Sequence, residues 1–161
     1  MRAISFAVSI LFAASANATA LSYFHTNPVD FERLKAGGMM PAHALLEQRF
    51  DSLCVMGPYQ DKVREDVAAR DRINAYLSDI GYTGDEGEWA LVLVRSADVE
   101  ALRFRSSAKL DFISPWEVQQ SRIVGLPERF APASCVDGNA AMFAKTEKDG
   151  RTYISLGTSA E

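Results

Sequence analysis

The chain contains few of the side chains on which metal binding and acid–base catalysis most often depend. Its 161 residues include only two histidines, His25 and His43, and two cysteines. Neither histidine lies in a pattern such as H-E-x-x-H, and a zinc site would have to draw on distant carboxylates. We therefore predict that the protein holds no metal and no cofactor.

Recognised catalytic and nucleotide-binding motifs are also missing. The sequence has no G-x-S-x-G, G-x-G-x-x-G or P-loop pattern. Acidic residues such as Glu86, Glu88, Asp98 and Asp111 are present, but nothing selects the pair that a glycosidase would need. The glycine-flanked loop that holds Glu86 also lacks the carboxylate spacing of an EF-hand, so it is predicted to be a solvated turn. The sequence favours a protein without enzymatic activity.

An excess of positive charge is absent as well. The chain has 17 lysines and arginines against 21 aspartates and glutamates, which gives a net charge of −4 at pH 7. Binding to a phosphate backbone requires a basic patch. We therefore expect no nucleic-acid partner, while a basic protein partner remains compatible with this charge.

No apolar run reaches the roughly 20 residues that a membrane-spanning helix requires. The run from Ala3 to Ala14 follows Met1-Arg2 and precedes small residues that offer two A-x-A sites. This order is typical of a secretory signal peptide, so residues 1–20 are predicted to be one, with cleavage after Ala18 or Ala20. The alternative is a buried N-terminal helix. Without residues 1–20 the chain has 16 basic and 21 acidic residues and a net charge of −5, and we expect a periplasmic or secreted protein with no transmembrane segment.

The two cysteines are predicted to form a disulfide between Cys54 and Cys135, because cysteines in exported proteins usually pair. The bond would close a loop of about 80 residues and stabilise the fold by roughly 4–5 kcal/mol. The alternative is a reactive Cys54 thiol assisted by His43, for which the sequence offers no third, orienting group.

Residues 21–161 are predicted to form one α+β domain. It would have a mostly antiparallel sheet of about five strands, one long helix, two or three short helices and the disulfide. The long helix is placed at residues 60–80, where apolar residues recur on one half of the helical circumference. The short helices are placed at residues 28–36, 42–49 and 115–124, and the strands at 50–56, 89–95, 99–104, 109–114, 140–146 and 151–156.

Three local patterns refine this prediction. Residues 53–56 and 89–94 are apolar at successive positions, which indicates that strands 50–56 and 89–95 are buried on both faces. Strands 99–104 and 109–114 are expected to pair as a hairpin, and Asp149-Gly150 predicts a tight turn between the last two strands. Ser114-Pro115-Trp116-Glu117 has the pattern of a capping box at a helix start.

Four aromatic residues at the ends of elements or within strands are candidates for contact with a partner protein: Tyr59, Trp89, Trp116 and Tyr153. Tryptophan and tyrosine are enriched at the energetic centres of protein interfaces. The alternative is that these rings fill the core.

Together these features favour an exported protein-binding module, for example an immunity or inhibitor protein that blocks a toxin or a hydrolase. Two alternatives stay open. One is a small exported hydrolase whose site is assembled from distant residues around His43 or His25. The other is a structural protein of the cell envelope, which the sequence does not distinguish from a binding module.

Overall fold

The chain folds into two β-sheets that face each other across the main hydrophobic core. The computed structural model describes residues 29–96, 98–121 and 125–160, so the predicted signal peptide at residues 1–20 lies outside the described part. The strands in chain order are β1 (Met39–Pro41), β2 (Ser52–Met56), β3 (Glu88–Arg95), β4 (Asp98–Arg105), β5 (Asp111–Phe112), β6 (Phe130–Pro132), β7 (Cys135–Asp137), β8 (Met142–Lys148) and β9 (Arg151–Ser159). The helices are a 3-10 helix (Phe31–Arg33), α1 (Ala42–Leu46), α2 (Arg70–Asp79) and α3 (Pro115–Ser121).

One sheet has five strands and the other has four. In the five-stranded sheet the order is β1-β8-β9-β5, and β6 also pairs with β9. In the four-stranded sheet the order is β4-β3-β2-β7. All strand pairs are antiparallel except β5 with β9, which run parallel. The α+β class and the mostly antiparallel pairing are therefore confirmed, with the strands divided between two sheets.

The two central strands of the four-stranded sheet, β2 and β3, are buried on both faces. Alternate residues point to opposite faces of a strand, and in β3 Leu91 and Leu93 belong to the core between the sheets. Ala90, Val92 and Val94 belong instead to a second cluster, which includes Ile73 and Leu77 of α2. The continuous apolar runs in β2 and β3 are explained by this arrangement, and the burial predicted for them is confirmed.

Helix α2 is shorter than the sequence pattern predicts. The prediction of a helix over residues 60–80 is wrong for its first half, because the helix begins at Arg70. The preceding segment is fixed by the Asn74 side chain, which accepts a hydrogen bond from the Val63 amide (2.8 Å) and donates one to the Val63 carbonyl (3.0 Å). Val63 is thereby buried in the same cluster as α2 without continuing the helix.

The predicted pairing of strands 99–104 and 109–114 is also wrong. Strand β4 pairs along its full length with β3, from Glu88↔Arg105 to Arg95↔Asp98. Strand β5 lies in the other sheet, where it runs parallel to β9. Residues 106–110 thus carry the chain from one sheet to the other, which lets Leu110 and Phe112 pack on the core from the opposite side.

The remaining differences concern short elements. Strands β1, β6 and β7 lie in segments for which the sequence predicts no strand. The helix predicted at 28–36 is only the 3-10 helix within the described residues. The helix predicted at 42–49 ends at Leu46, because the next residue, Glu47, has a left-handed φ of 54°. Of the helix predicted at 115–124, residues 122–124 lie outside the described part. The turn at Asp149-Gly150 is confirmed, and both residues have the positive φ of a type I′ hairpin (52° and 74°).

Candidate functional site

A disulfide joins Cys54 to Cys135, as predicted. The two residues are direct partners in the register of β2 and β7, and their Cα atoms are 4.0 Å apart. Cys54 is buried in the cluster beneath α2. The alternative of a reactive Cys54 thiol is therefore wrong, because both cysteines of the chain are in this bond.

A cleft lies where β3 and its flanking loops meet the β8–β9 hairpin and the start of α3. Its volume is about 540 Å³, within the range of about 300–1,000 Å³ that ligand pockets occupy. Four of its lining residues are carboxylates, namely Glu86, Asp111, Glu117 and Asp149, whereas two are basic, namely Lys148 and Arg151. We call it the acidic cleft. Its other lining residues are Gly57, Pro58, Gly87, Trp89, Ser106, Phe112, Ile113, Ser114 and Tyr153.

Two of the four predicted partner-binding residues are exposed beside this cleft. Among the described residues, Tyr59 (73% exposed) and Trp116 (66% exposed) are the large hydrophobic residues left open to solvent. Pro58, Ser114 and Glu117 line the cleft. Tyr59 directly follows Pro58, and Trp116 lies in the chain between Ser114 and Glu117. We call Tyr59 and Trp116 the aromatic rim.

The other two predicted residues line the acidic cleft itself. Tyr153 is half-buried in β9. Trp89 is only 1% exposed and stacks on Phe104, with ring centroids 4.3 Å apart. Trp89 therefore fills the core, which was the alternative for these rings. Its contact with a partner protein stays a prediction.

Tyr59 is held in an unfavourable backbone conformation. Its φ is 63°, in the left-handed region that costs a residue with a Cβ atom roughly 1–2 kcal/mol. The Gln60 amide donates to the Gly57 carbonyl (3.3 Å) across a turn, and the Tyr59 amide donates to the Gly84 carbonyl (2.7 Å). Pro58 and a positive φ at the next residue are what a type II turn requires, and glycine is the usual residue at that position. Strained residues of this kind concentrate at functional sites.

Trp116 is positioned by the capping box at the start of α3. The Glu117 amide donates to Ser114 Oγ (3.2 Å), and the Ser114 amide donates to Glu117 Oε2 (2.9 Å). The predicted capping box is thus confirmed. It fixes the first turn of α3, and with it the backbone of Trp116, against the cleft.

The charges within the acidic cleft are partly paired. Arg151 and Asp111 form an ion pair of 2.7 Å, and the hydrogen bond and charge of Asp111 raise the pKa of the exposed Arg151 guanidinium above its usual value. Neither Glu86 nor Asp149 forms an ion pair with a described residue. The cleft therefore carries a surplus of negative charge near its exposed side.

One polar atom of Trp89 has no internal partner. The indole Nε1 of Trp89 is buried, and no described residue offers it a hydrogen-bond acceptor. A buried donor without an acceptor costs about 1–3 kcal/mol, so native structures contain few of them.

The two histidines lie away from the acidic cleft or outside the described residues. His43 is exposed and lines a smaller cleft of about 150 Å³ with Arg49, Phe50, Gly138 and Asn139. His25 belongs to the part of the chain that the structure does not describe. The hydrolase alternative around His43 or His25 therefore stays a prediction.

The sequence alone did not identify the charged residues of the acidic cleft. The capping box and the Asp149-Gly150 turn are both visible in the sequence. Nothing in the sequence shows that these two features meet, because the parallel pairing of β5 with β9 brings them together. The position of Glu86 could not be predicted either, since only the folded loop before β3 places it beside the β8–β9 hairpin.

No protein-family model, curated protein sequence or solved structure matches this chain. In the described part of the chain, no helix is both long and apolar enough to cross a membrane.

Proposed function

We propose that the protein is exported and that it binds another protein through the acidic cleft and its aromatic rim. In the form that the sequence suggests, it is an immunity or inhibitor-type protein whose partner is a toxin or a hydrolase. Binding, rather than chemistry on a substrate, is the proposed activity.

The observation that carries this proposal is the position of Tyr59 and Trp116. They are the exposed large hydrophobic residues among those described, and both belong to segments that line one cleft. Exposed aromatic residues that converge on one surface mark interaction sites. Tyrosine and tryptophan are also the residue types that most often dominate binding free energy at interfaces.

The backbone of Tyr59 supports the same proposal. A tyrosine at a position with a φ of 63° lowers stability relative to glycine, which adopts this conformation without a steric cost. Local rules of this kind are broken mainly where function compensates for the loss of stability. An exposed ring that contacts a partner provides such a function.

Export is supported by two independent features of the chain. Residues 1–20 have the three-part order of a secretory signal peptide. The Cys54–Cys135 disulfide is of the kind that persists in oxidising compartments. Mass spectrometry of the protein recovered from its source organism tests this point. We expect an N-terminus at Thr19 or Leu21 and no free thiol, whereas an intact leader with two free thiols would refute export.

The binding proposal is tested by comparing capture of partners by wild type and by rim variants. The purified mature protein, a Tyr59→Gly/Trp116→Ala variant and a His43→Ala control are immobilised in equal amounts and exposed to extracellular and periplasmic extract. We expect one protein to be recovered by wild type and by the control, and at least tenfold less of it by the rim variant, as loss of two interface anchors implies. Equal recovery by all three, or no specific protein at micromolar sensitivity, would contradict the proposal.

A further inference from the structure

We infer that the protein forms a two-fold symmetric dimer, in which strand β4 pairs antiparallel with β4 of a second copy. The surface involved is the open edge of the four-stranded sheet, and none of residues 98–105 lines the acidic cleft. A two-fold interface places one patch of surface against itself. The inference is therefore independent of the proposed function, which concerns a different partner and a different surface.

Strand β4 is the long strand among the edge strands of the described residues. It has eight residues, and the order β4-β3-β2-β7 places it at one edge of its sheet. Strand β7 at the opposite edge has three residues, and in the other sheet β1 and β6 have three residues each, including Pro41 and Pro132. Short strands and prolines are means by which proteins prevent edge-to-edge pairing. β4 has no proline, and its register with β3 is continuous along its whole length.

Half of the backbone groups of β4 point away from its sheet. The Ser106 amide donates to the Gly87 carbonyl (2.7 Å), which extends the β3–β4 ladder by one pair. Bonded pairs alternate along an antiparallel ladder, so the even-numbered residues of β4 bond to β3 and the odd-numbered residues face outward. The outward amides and carbonyls of Val99, Ala101 and Arg105 bond to no described residue. They form a template for a further strand.

The order of charges along β4 favours a second copy in antiparallel orientation. The first half of the strand carries Asp98 and Glu100, and the second half carries Arg103 and Arg105. Antiparallel self-pairing therefore places the acidic half of one copy beside the basic half of the other, whereas parallel self-pairing would place like charges side by side. A partner strand with charges of one sign would be repelled by one of the two halves.

Two registers keep the two strands paired along nearly their full length. Residues directly opposite each other in a sheet lie on the same face, so the self-paired strands are centred on Ala101 or on Leu102. In both registers Val99 lies opposite an arginine of the second copy, which is Arg103 in the first register and Arg105 in the second. Neither register places two residues of like charge opposite each other.

Pairing of this kind ends after two copies. The two four-stranded sheets become one continuous sheet with β7 at both of its ends. Because β7 has only three residues, it offers little to a third copy. The expected assembly is therefore a closed dimer and not a filament.

Analytical ultracentrifugation of the chain without residues 1–20 tests the inference. Between about 1 and 100 µM, where small interfaces associate, we expect the mass to rise from that of one copy toward that of two. Amide hydrogen exchange of Val99 and Ala101 should slow over the same range, because their amides gain acceptors. A protein that is still monomeric at about 100 µM would refute the inference, whatever other chain binds the edge.

Ala101→Pro removes an outward amide near the centre of the proposed pair. Proline is tolerated in an edge strand where the amide faces solvent, so the monomer should stay folded. We expect association to weaken by at least about tenfold, as loss of backbone hydrogen bonds at the interface implies. Ala101→Ser retains the amide and is the control, with a change of less than about twofold. A proline variant that dimerises like wild type would show that the copies join through another surface.

Two substitutions of Val99 test the pairing without proline. Val99→Glu places a carboxylate opposite an arginine of the second copy, whereas Val99→Arg places two cations opposite each other. Both remove the same apolar side chain from the monomer, so the difference between them reports the pairing. We expect the glutamate variant to associate at least about fivefold more tightly than the arginine variant, because the contact occurs twice in a two-fold dimer. Equal association of the two variants, or the reverse order, would refute the inference.

The rim variant separates this inference from the proposed function. Tyr59→Gly/Trp116→Ala removes the exposed aromatic residues and leaves β4 unchanged, so it should dimerise like wild type. If it is monomeric, the copies join through the aromatic rim and the inference is refuted. If it dimerises but captures the same protein as wild type, the proposed function fails and the dimer stands.

Discussion

At the scale of single residues, Tyr59 shows how a sequence can work against its own stability. The turn at Gly57–Gln60 calls for glycine at residue 59, and the chain has an exposed tyrosine there instead. The Cβ atom is the source of the strain, because it crowds the backbone at positive φ. The aromatic ring itself is mostly in solvent, so it contributes little packing to offset that cost.

We therefore predict that Tyr59→Gly stabilises the protein. The free energy of unfolding should rise by about 0.5–1 kcal/mol, since relief of left-handed strain exceeds the entropy that glycine adds to the unfolded chain. Tyr59→Ala is the control, because alanine retains the Cβ atom and the strain. Urea denaturation of the three proteins measures the difference. A glycine variant that is less stable than the alanine variant would show that the backbone of residue 59 is not strained.

At the scale of secondary-structure elements, the β3–β4 pair contains a buried charge that needs its partner. The Glu88 side chain is 5% exposed and forms ion pairs with Arg103 (3.0 Å) and Arg105 (3.4 Å). Arg103 is 9% exposed, lies over the ring of Tyr82 and donates to the Thr83 carbonyl, whereas Arg105 is 81% exposed. The two arginines therefore face very different dielectric surroundings, although they pair with the same carboxylate.

Replacement of these two arginines should have unequal effects. Arg103→Ala leaves the Glu88 carboxylate buried beside an empty site, and we expect it to lower the free energy of unfolding by about 3–5 kcal/mol. Arg105→Ala removes a solvent-exposed partner and should cost less than about 1 kcal/mol. Thermal and urea unfolding give both values. Adding Glu88→Gln to Arg103→Ala should restore part of the loss, and a further loss would contradict the explanation by an unpaired charge.

The start of α3 gives a second prediction at this scale. Ser114→Ala removes the side-chain acceptor of the Glu117 amide, and loss of a helix cap typically costs about 1 kcal/mol. Ser114→Thr retains the hydroxyl group and is the control. Amide hydrogen exchange of residues 116–121 should accelerate in the alanine variant alone. Unchanged exchange in that variant would show that the capping box does not hold the first turn of α3.

The sequence correctly predicted the elements whose structure is determined by residues that are neighbours along the chain. Strand β3 is apolar at successive positions because both of its faces are covered, and the Asp149-Gly150 turn is set by two residues that tolerate positive φ. The first half of the predicted long helix is not formed, because its structure is determined by a contact with a residue farther along the chain. Val63 and Val67 have helical spacing, but the Asn74 side chain takes both backbone hydrogen bonds of Val63. A tertiary contact of this kind leaves no signal in local periodicity.

The acidic cleft could be predicted only in part for a related reason. Tyr59, Trp89, Trp116 and Tyr153 stand out by residue type, and all four lie in or beside the cleft. The carboxylates around them resemble the many other acidic residues of the chain. Their common location depends on the strand exchange between the sheets, which the sequence pattern assigned to a hairpin instead.

At the scale of the whole molecule, the disulfide closes about half of the chain into one loop. Cys54 and Cys135 are 81 residues apart, and α2, β3, β4, β5 and α3 all lie between them. Linking residues this far apart restricts the unfolded chain strongly, whereas the folded β2–β7 pair is already held by its backbone hydrogen bonds. The bond should therefore act mainly on the unfolded state.

We predict that Cys54→Ala/Cys135→Ala lowers the free energy of unfolding by about 4–5 kcal/mol, the value that the chain-entropy model gives for a loop of this length. Chemical denaturation with and without dithiothreitol measures the effect. The reductant should destabilise wild type by a similar amount and leave the variant unchanged. A loss below about 1 kcal/mol in the variant would show that the unfolded chain is already compact without the bond.

Strand β9 also sets the order in which the molecule can be completed. It pairs with β8 along one edge and with both β5 and β6 along the other, so three of the strands in the five-stranded sheet depend on residues 151–159. During translation, the ribosome must synthesise this segment before that sheet can form at all. Until then the inner face of the four-stranded sheet has no cover, and we expect nascent chains halted before residue 151 to be bound by chaperones and cleaved readily by protease. The four-stranded sheet thus stays uncovered until residues 151–159 have been synthesised, and the export proposed above requires a chain in such an unfolded state.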